Sequence, residues 1–170
     1  MRSSFFIFGL PRSGSSWLSV FLSGPDSFCY HEPTADLSPQ QWADAASLRS
    51  ESAVGAVDTG AYLFVDEIRK ASPQAECYLL IRDPGEIERS ARRLGVASFN
   101  ARAEHEKLAS LPFPKIWQKH YNDVDYLRML WTQIIGSHCD ETRAKQLAEM
   151  NVQRDLKLFF SRRTVARKTA

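Results

Sequence analysis

The stretch Ser4-Phe5-Phe6-Ile7-Phe8-Gly9-Leu10-Pro11-Arg12-Ser13-Gly14-Ser15-Ser16-Trp17-Leu18 places an apolar run, a Gly/Ser turn and an amphipathic segment in direct succession. Such a junction binds anions. Successive N–H groups of the turn and the unpaired N–H groups of the following helical turn converge on one point, and the helix dipole adds partial positive charge there. The expected anion position is Gly14 to Ser16. The Gly9 to Gly14 spacing matches GxxxxGK[ST], in which the Lys reaches the outer phosphates and the next hydroxyl holds magnesium. Here Ser15 stands at the Lys position, and the loop's cation is Arg12, two residues before the second Gly.

A second segment of the same kind follows about seventy residues later, at Cys77-Tyr78-Leu79-Leu80-Ile81-Arg82-Asp83-Pro84-Gly85-Glu86-Ile87-Glu88-Arg89-Ser90. Tyr78 to Ile81 reads as a strand buried on both faces. Asp83 is a good N-cap, Pro84 suits the first helical position and Glu86 the first turn. Ile87, Ala91 and Leu94 are expected to form the buried stripe of that helix. Arg82 then lies at the carboxyl end of a strand and Ser90 two turns along the next helix. A guanidinium there can give a phosphate two parallel hydrogen bonds.

These residues need a frame that brings distant segments to one edge. The first half alternates strand and helix: strands near 4 to 8, 27 to 31, 53 to 58 and 77 to 82, helices near 14 to 23, 39 to 49, 60 to 71 and 84 to 94. Alternation of this kind predicts an α/β fold, a three-layer α/β/α arrangement around a mainly parallel sheet of about four to five strands. Ligands of such sheets bind at the carboxyl ends of the strands, where both segments lie. The second half reads as more helical. A charged helix is expected near 99 to 110, a break at Leu111-Pro112-Phe113-Pro114, a short strand within Lys115 to Tyr121, a helix from an Asn122 cap through Ile135, and a last helix over 141 to 150.

Composition frames this reading. The 170 residues suit one domain, with 1 to 95 as the cofactor-binding core, 96 to 160 as a helical completion and 161 to 170 as a basic tail. A formal net charge of +2 gives no case for nucleic-acid binding. No apolar run approaches the roughly 20 residues of a membrane span, and Met1-Arg2-Ser3-Ser4 leaves no room for a signal peptide before the first strand. Cys29, Cys77 and Cys139 are widely spaced and form no CxxC pair, so the expectation is a reducing cytoplasm and no metal.

Pro11-Arg12-Ser13-Gly14-Ser15-Ser16-Trp17 resembles the 5′-phosphosulfate loop of sulfotransferases that use 3′-phosphoadenosine 5′-phosphosulfate (PAPS), a loop written Pro-(Lys/Arg)-Ser-Gly-Thr-Thr-(Trp/Leu). Ser15 and Ser16 replace Thr and keep the hydroxyls. Arg82 and Ser90 have the eight-residue spacing and the Arg-(Asn/Asp)-Pro context of the family's 3′-phosphate pair. The resemblance covers residues 4 to 95. It implies that Pro11 to Trp17 hold the phosphosulfate, that Trp17 can stack on adenine, and that Arg82 and Ser90 hold the 3′-phosphate of PAPS or of its product PAP. It also implies transfer of a sulfuryl group to a small-molecule, carbohydrate or peptide acceptor.

In-line transfer of this kind is helped by positioning and by cations near the oxygens that gain charge, a role open to Arg12. The acceptor's proton requires a general base. Tyr30-His31-Glu32-Pro33, at the carboxyl end of the second strand, supplies two candidates. Carbohydrate and tyrosylprotein sulfotransferases place a catalytic Glu shortly after the first helix, which favours Glu32 over His31. Asp58, in Val57-Asp58-Thr59-Gly60, is a third candidate and alternatively a helix cap.

The chain departs from the family at its end, where an Arg-Lys-Gly segment is replaced by Phe160-Ser161-Arg162-Arg163, whose arginines are candidates for a further 3′-phosphate contact. Two other readings share these residues: a P-loop kinase for a nucleotide or small molecule, and a catalytically silent PAP-binding module.

Overall fold

The computed structural model describes residues 3–95 and 99–149. Arg162 and Arg163, the basic tail and residues 96 to 98 lie outside them. The central sheet has five parallel strands, β1 (Ser3–Phe8), β2 (Ser27–His31), β3 (Ala53–Asp58), β4 (Glu76–Ile81) and β5 (Lys115–Trp117), in the order β2-β3-β1-β4-β5. After β3 the chain crosses from one side of β1 to the other. The carboxyl end of β1 is therefore the point where the winding reverses and a crevice opens.

Alternation along β1 builds the two layers. Phe5 and Ile7 face α1 (Ser15–Phe21), α6 (Val124–Ile135) and α7 (Glu141–Glu149), joining Leu18, Leu127, Leu130 and Leu147 in one core. Phe6 and Phe8 face the opposite way, toward α2 (Pro39–Ser47), α3 (Val65–Ala71), α4 (Pro84–Arg93) and α5 (Ala101–Ala109), with Trp42, Ile68, Ile87 and Leu108. Both faces of the strand are covered, which is why Phe5 to Phe8 reads as a continuous apolar run.

Local chemistry sets the helix starts. Ser38 and Gln41 form a reciprocal capping box before α2, Asp83 accepts from the Glu86 N–H with Pro84 at the first position of α4, and Asn100 accepts from the Ala103 N–H at α5. Several expectations are corrected. The cap of α6 is Asp123, whose Oδ1 accepts from the N–H groups of Asp125 and Tyr126, rather than Asn122. Leu94 is 58% exposed, because α4 stops at Arg93 and Gly95 turns the chain with φ 65°; the buried stripe is Ile87 and Ala91. The strand expected within Lys115 to Tyr121 is only three residues long, and a 3-10 turn (Gln118–His120) takes the rest. Another 3-10 turn (Ala61–Phe64) precedes α3, where one continuous helix was expected. Among the described residues no helix is long and apolar enough to cross a membrane.

α1 is only seven residues long, so its position depends on neighbours. Arg143 of α7 donates from Nη1 to the Phe21 carbonyl at 3.1 Å and from Nη2 to the Val20 carbonyl at 2.6 Å. These carbonyls belong to the last turn of α1, where a cation is favoured. At the other end, the Trp17 indole N–H donates to the Leu147 carbonyl at 2.7 Å.

Phe5 packs directly over its register partner Gly55. A Cβ at position 55 would collide with the Phe5 ring, which is 1% exposed and has nowhere to move. Gly55→Ala is expected to destabilise the protein by about 1–3 kcal/mol. Urea unfolding monitored by circular dichroism checks this, and Phe5→Leu in the same chain should recover part of the loss.

Candidate functional site

The carboxyl ends of β1, β2, β3 and β4 surround a cleft of about 800 Å³ lined by Arg12, Ser15, Ser16, His31, Glu32 and Arg82, among others. Its floor is the loop from Gly9 to Gly14. The Ser13 N–H closes a turn on the Leu10 carbonyl at 3.1 Å, Arg12 adopts φ 70° and Gly14 φ 98°. Gly14 also lies under Gln118 and Tyr121, whose side chains a Cβ there would meet at 3.2 Å. A glycine is needed both for the left-handed backbone and for that close cover.

The two segments singled out in the sequence meet here. Arg12 donates from Nε to the Ser90 hydroxyl at 3.1 Å. Arg82 donates from Nη1 to the Arg12 carbonyl at 2.8 Å and from Nε to Glu86 at 3.1 Å. Arg82 thus fixes the backbone of the residue that carries the loop's own cation. The two guanidiniums are close enough that burial first, and the charge of Arg82 second, lower the proton affinity of Arg12. Gathering two like charges over an anion-binding turn is an arrangement that a multiply charged anion relieves. α1, expected over 14 to 23, spans only Ser15–Phe21.

His31 and Glu32 enter from the opposite side. Glu32 has φ 53°. It and Arg12 are the two non-glycine residues with positive φ among the described ones, and both line this cleft, where backbone strain tends to collect. The Glu32 carboxylate is 3.5 Å from His31 Nε2; its Oε1 accepts from the Thr59 hydroxyl at 2.9 Å and from the Ser15 hydroxyl at 3.4 Å. Burial holds the imidazole of His31 below its ordinary proton affinity, while the charges of Glu32 and Asp58 push the other way.

The other expected site residues divide. Pro11, Arg12, Gly14, Ser15, Ser16, Trp17, Arg82 and Ser90 line the cleft together with His31 and Glu32. Ser13 does not. Its side chain is fully buried, its N–H is used in the turn, and its hydroxyl would touch a Cβ at Gly9 at 2.9 Å, so it supports the loop from beneath. Trp17 lines the cleft, yet its ring is already stacked on Tyr121 at 4.3 Å and Phe21 at 5.2 Å. Asp58 is no candidate base. It is 1% exposed, its Oδ1 accepts from the Gly60 and Ala61 N–H groups and its Oδ2 from the Thr34 N–H and hydroxyl. These bonds fill its acceptor positions and make it a cap. Sequence reasoning missed Thr59, Gln118, Tyr121 and Asn122 as cleft residues; Thr59 alone carried a signal, as a polar residue just past a buried strand.

Two consequences can be measured. Asp58→Ala strands four buried or half-buried donors and is expected to cost about 3 kcal/mol or more in stability, which chemical denaturation reads directly. For His31, the folded chain binds the imidazole proton less readily than the unfolded chain does. Stability is therefore complete above the ordinary imidazole range, near about pH 6.5, and declines as the pH falls through it. Melting temperatures between about pH 8 and pH 5.5 should fall less steeply in His31→Gln than in wild type.

Set beside known proteins, the chain matches no family model and has no significant match among curated protein sequences.

Proposed function

We propose that this chain is a PAPS-dependent sulfotransferase that transfers a sulfuryl group to a hydroxyl or amine acceptor. The observation that carries the reading is the convergence of Arg12, Arg82 and Ser90 at the reversal point of the sheet, joined by the 3.1 Å and 2.8 Å bonds across seventy residues of sequence. The fit to a doubly phosphorylated nucleotide rests on these features: two adjacent guanidiniums, a left-handed glycine that opens the loop backbone, and a cleft of about 800 Å³.

In this reading Arg82 and Ser90 hold the 3′-phosphate, and Arg12 with the N–H groups of Ser15 and Ser16 and the Ser16 hydroxyl holds the phosphosulfate end. PAPS, when bound, supplies the activated sulfuryl group. Arg12 and the loop N–H groups counter the charge that develops on the oxygens nearest them. Glu32 serves as general base. Its side chain is 35% exposed and faces the cleft, so an acceptor can reach it, and Thr59 holds the carboxylate in place during proton transfer. The acceptor is a small molecule, a carbohydrate or a peptide, and the protein acts in the cytoplasm.

The test is thermal melting of the purified protein with PAP, with ADP, and with ATP plus magnesium, repeated with PAP on Arg82→Ala. A ligand at one hundred times its dissociation constant adds about 2.7 kcal/mol. Stabilisation by PAP that exceeds that by ADP and drops in Arg82→Ala is expected. Stabilisation by ATP with magnesium alone would replace this reading with a kinase. Glu32→Gln is expected to lower sulfuryl transfer by about a hundredfold or more while PAP still binds; binding without transfer in wild type would mark a silent PAP-binding module.

A further inference from the structure

The ring of His31 sits against three oxygens. Its Nε2 is 3.2 Å from the Ser15 hydroxyl, 3.1 Å from the Ser16 hydroxyl and 3.5 Å from Glu32 Oε1. The direction of each bond follows from what each atom can offer. An ionised carboxylate only accepts, and Glu32 Oε1 already takes the Ser15 hydroxyl proton and that of Thr59. Ser15 reaches both Glu32 Oε1 at 3.4 Å and Nε2 at 3.2 Å; giving its one proton to the carboxylate leaves it a lone pair for the ring. Glu32 Oε1 meets Nε2 with a lone pair in either case, and a bare nitrogen facing it would be repelled. A hydrogen on Nε2 suits both oxygens.

With the proton on Nε2, the Ser16 oxygen accepts from the ring, and the hydroxyl hydrogen of Ser16 is released to turn into the cleft that Ser16 lines. Were Nε2 bare, Ser16 would spend its hydrogen on the ring and present lone pairs to the cleft, the wrong face for an anion.

We propose that His31 is a positioning residue that, as its Nε2–H tautomer, turns the Ser16 hydroxyl toward an anion held by Arg12 and Arg82, and that it takes up a second proton when that anion binds. This rests on the reading of the cleft as an anion site and deepens it. The charged groups that bear on the ring are Glu32 beside it and Asp58 on β3, which favour the imidazolium; Arg12, Arg82 and Glu149 line the same cleft. Burial tips the balance to the neutral ring. A bound dianion adds negative charge in the cleft beside His31, so protonation follows occupancy.

Inorganic sulfate is the probe, because it does not itself titrate between about pH 6 and pH 8. Sulfate affinity of the wild type is expected to be several-fold higher at about pH 6 than at about pH 8, within the limit of about tenfold per pH unit for one linked proton. The His31 imidazole resonance should titrate at higher pH with sulfate than without. In His31→Gln, whose amide can still donate to Ser16, the ratio of the two affinities should fall to near one. His31→Ala should bind sulfate more weakly than His31→Gln at the higher pH. Equal ratios in wild type and His31→Gln, or an unshifted imidazole titration in a wild type that binds sulfate, would overturn the inference. So would a wild type that binds no sulfate at either pH. PAP binding is scored separately: PAP no tighter than sulfate would sink the sulfotransferase reading and leave the His31 result standing on sulfate alone.

Discussion

The bond from Arg82 to the carbonyl of Arg12 is the constraint on which the cleft depends. It ties the end of β4 to a loop that leaves β1, and it does so with a cation that lies near the loop's own cation. Two guanidiniums are held together by neutral and acidic partners around them, Ser90 on one and Glu86 on the other. The arrangement is unfavourable by itself, since burial and the charge of Arg82 both lower the proton affinity of Arg12. The rigid neighbours β1 and β4 sustain it. For an anion such an arrangement would be preorganised, because the repulsion is met when the chain folds.

The opposite wall follows a different logic. There the chain concentrates hydroxyls around one carboxylate and one imidazole, and strain in the backbone of Glu32 aims its side chain back across the end of β3. Asp58 makes that possible. By gathering the N–H groups of Thr34, Gly60 and Ala61, it fixes the two turns that flank Glu32 and Thr59. A buried carboxylate with every acceptor position filled is a piece of architecture. The half-buried one beside it, Glu32, lines the cleft.

Much of this was legible in the sequence for identifiable reasons. β1, β3 and β4 read as unbroken apolar or small-residue runs because both their faces are covered, and the helix after β4 starts at Pro84 behind a recognisable cap, Asp83. Sequence spacing pairs Ser90 with Arg82, whereas in the structure the Ser90 hydroxyl accepts from Arg12; the two segments still meet because parallel strands carry them to one edge of the sheet. What escaped was set by tertiary contact. Leu94 has the spacing of a buried residue, but the helix ends one position too soon. Ser13 stands in the middle of the loop motif yet turns inward under Gly9. Gln118 and Tyr121 cover Gly14 from the 3-10 turn that follows β5, where only strand was expected. The place of Trp17 in a stack with Tyr121 depends on two residues more than a hundred positions apart in the chain.

The clamp of α7 on α1 has a consequence for how the molecule opens. A seven-residue helix has no independent stability in water, and α1 is gripped at its last turn by Arg143 and at its first by the bond from Trp17 to Leu147. When α7 lifts away, both grips are lost together, and the Gly9–Gly14 loop loses the helix that follows it. In the language of native-state exchange, the cradle and α7 form one cooperative unit although more than a hundred residues separate them. The amides of Ser15 to Phe21 should exchange at the opening free energy of α7, not at that of the sheet beneath them.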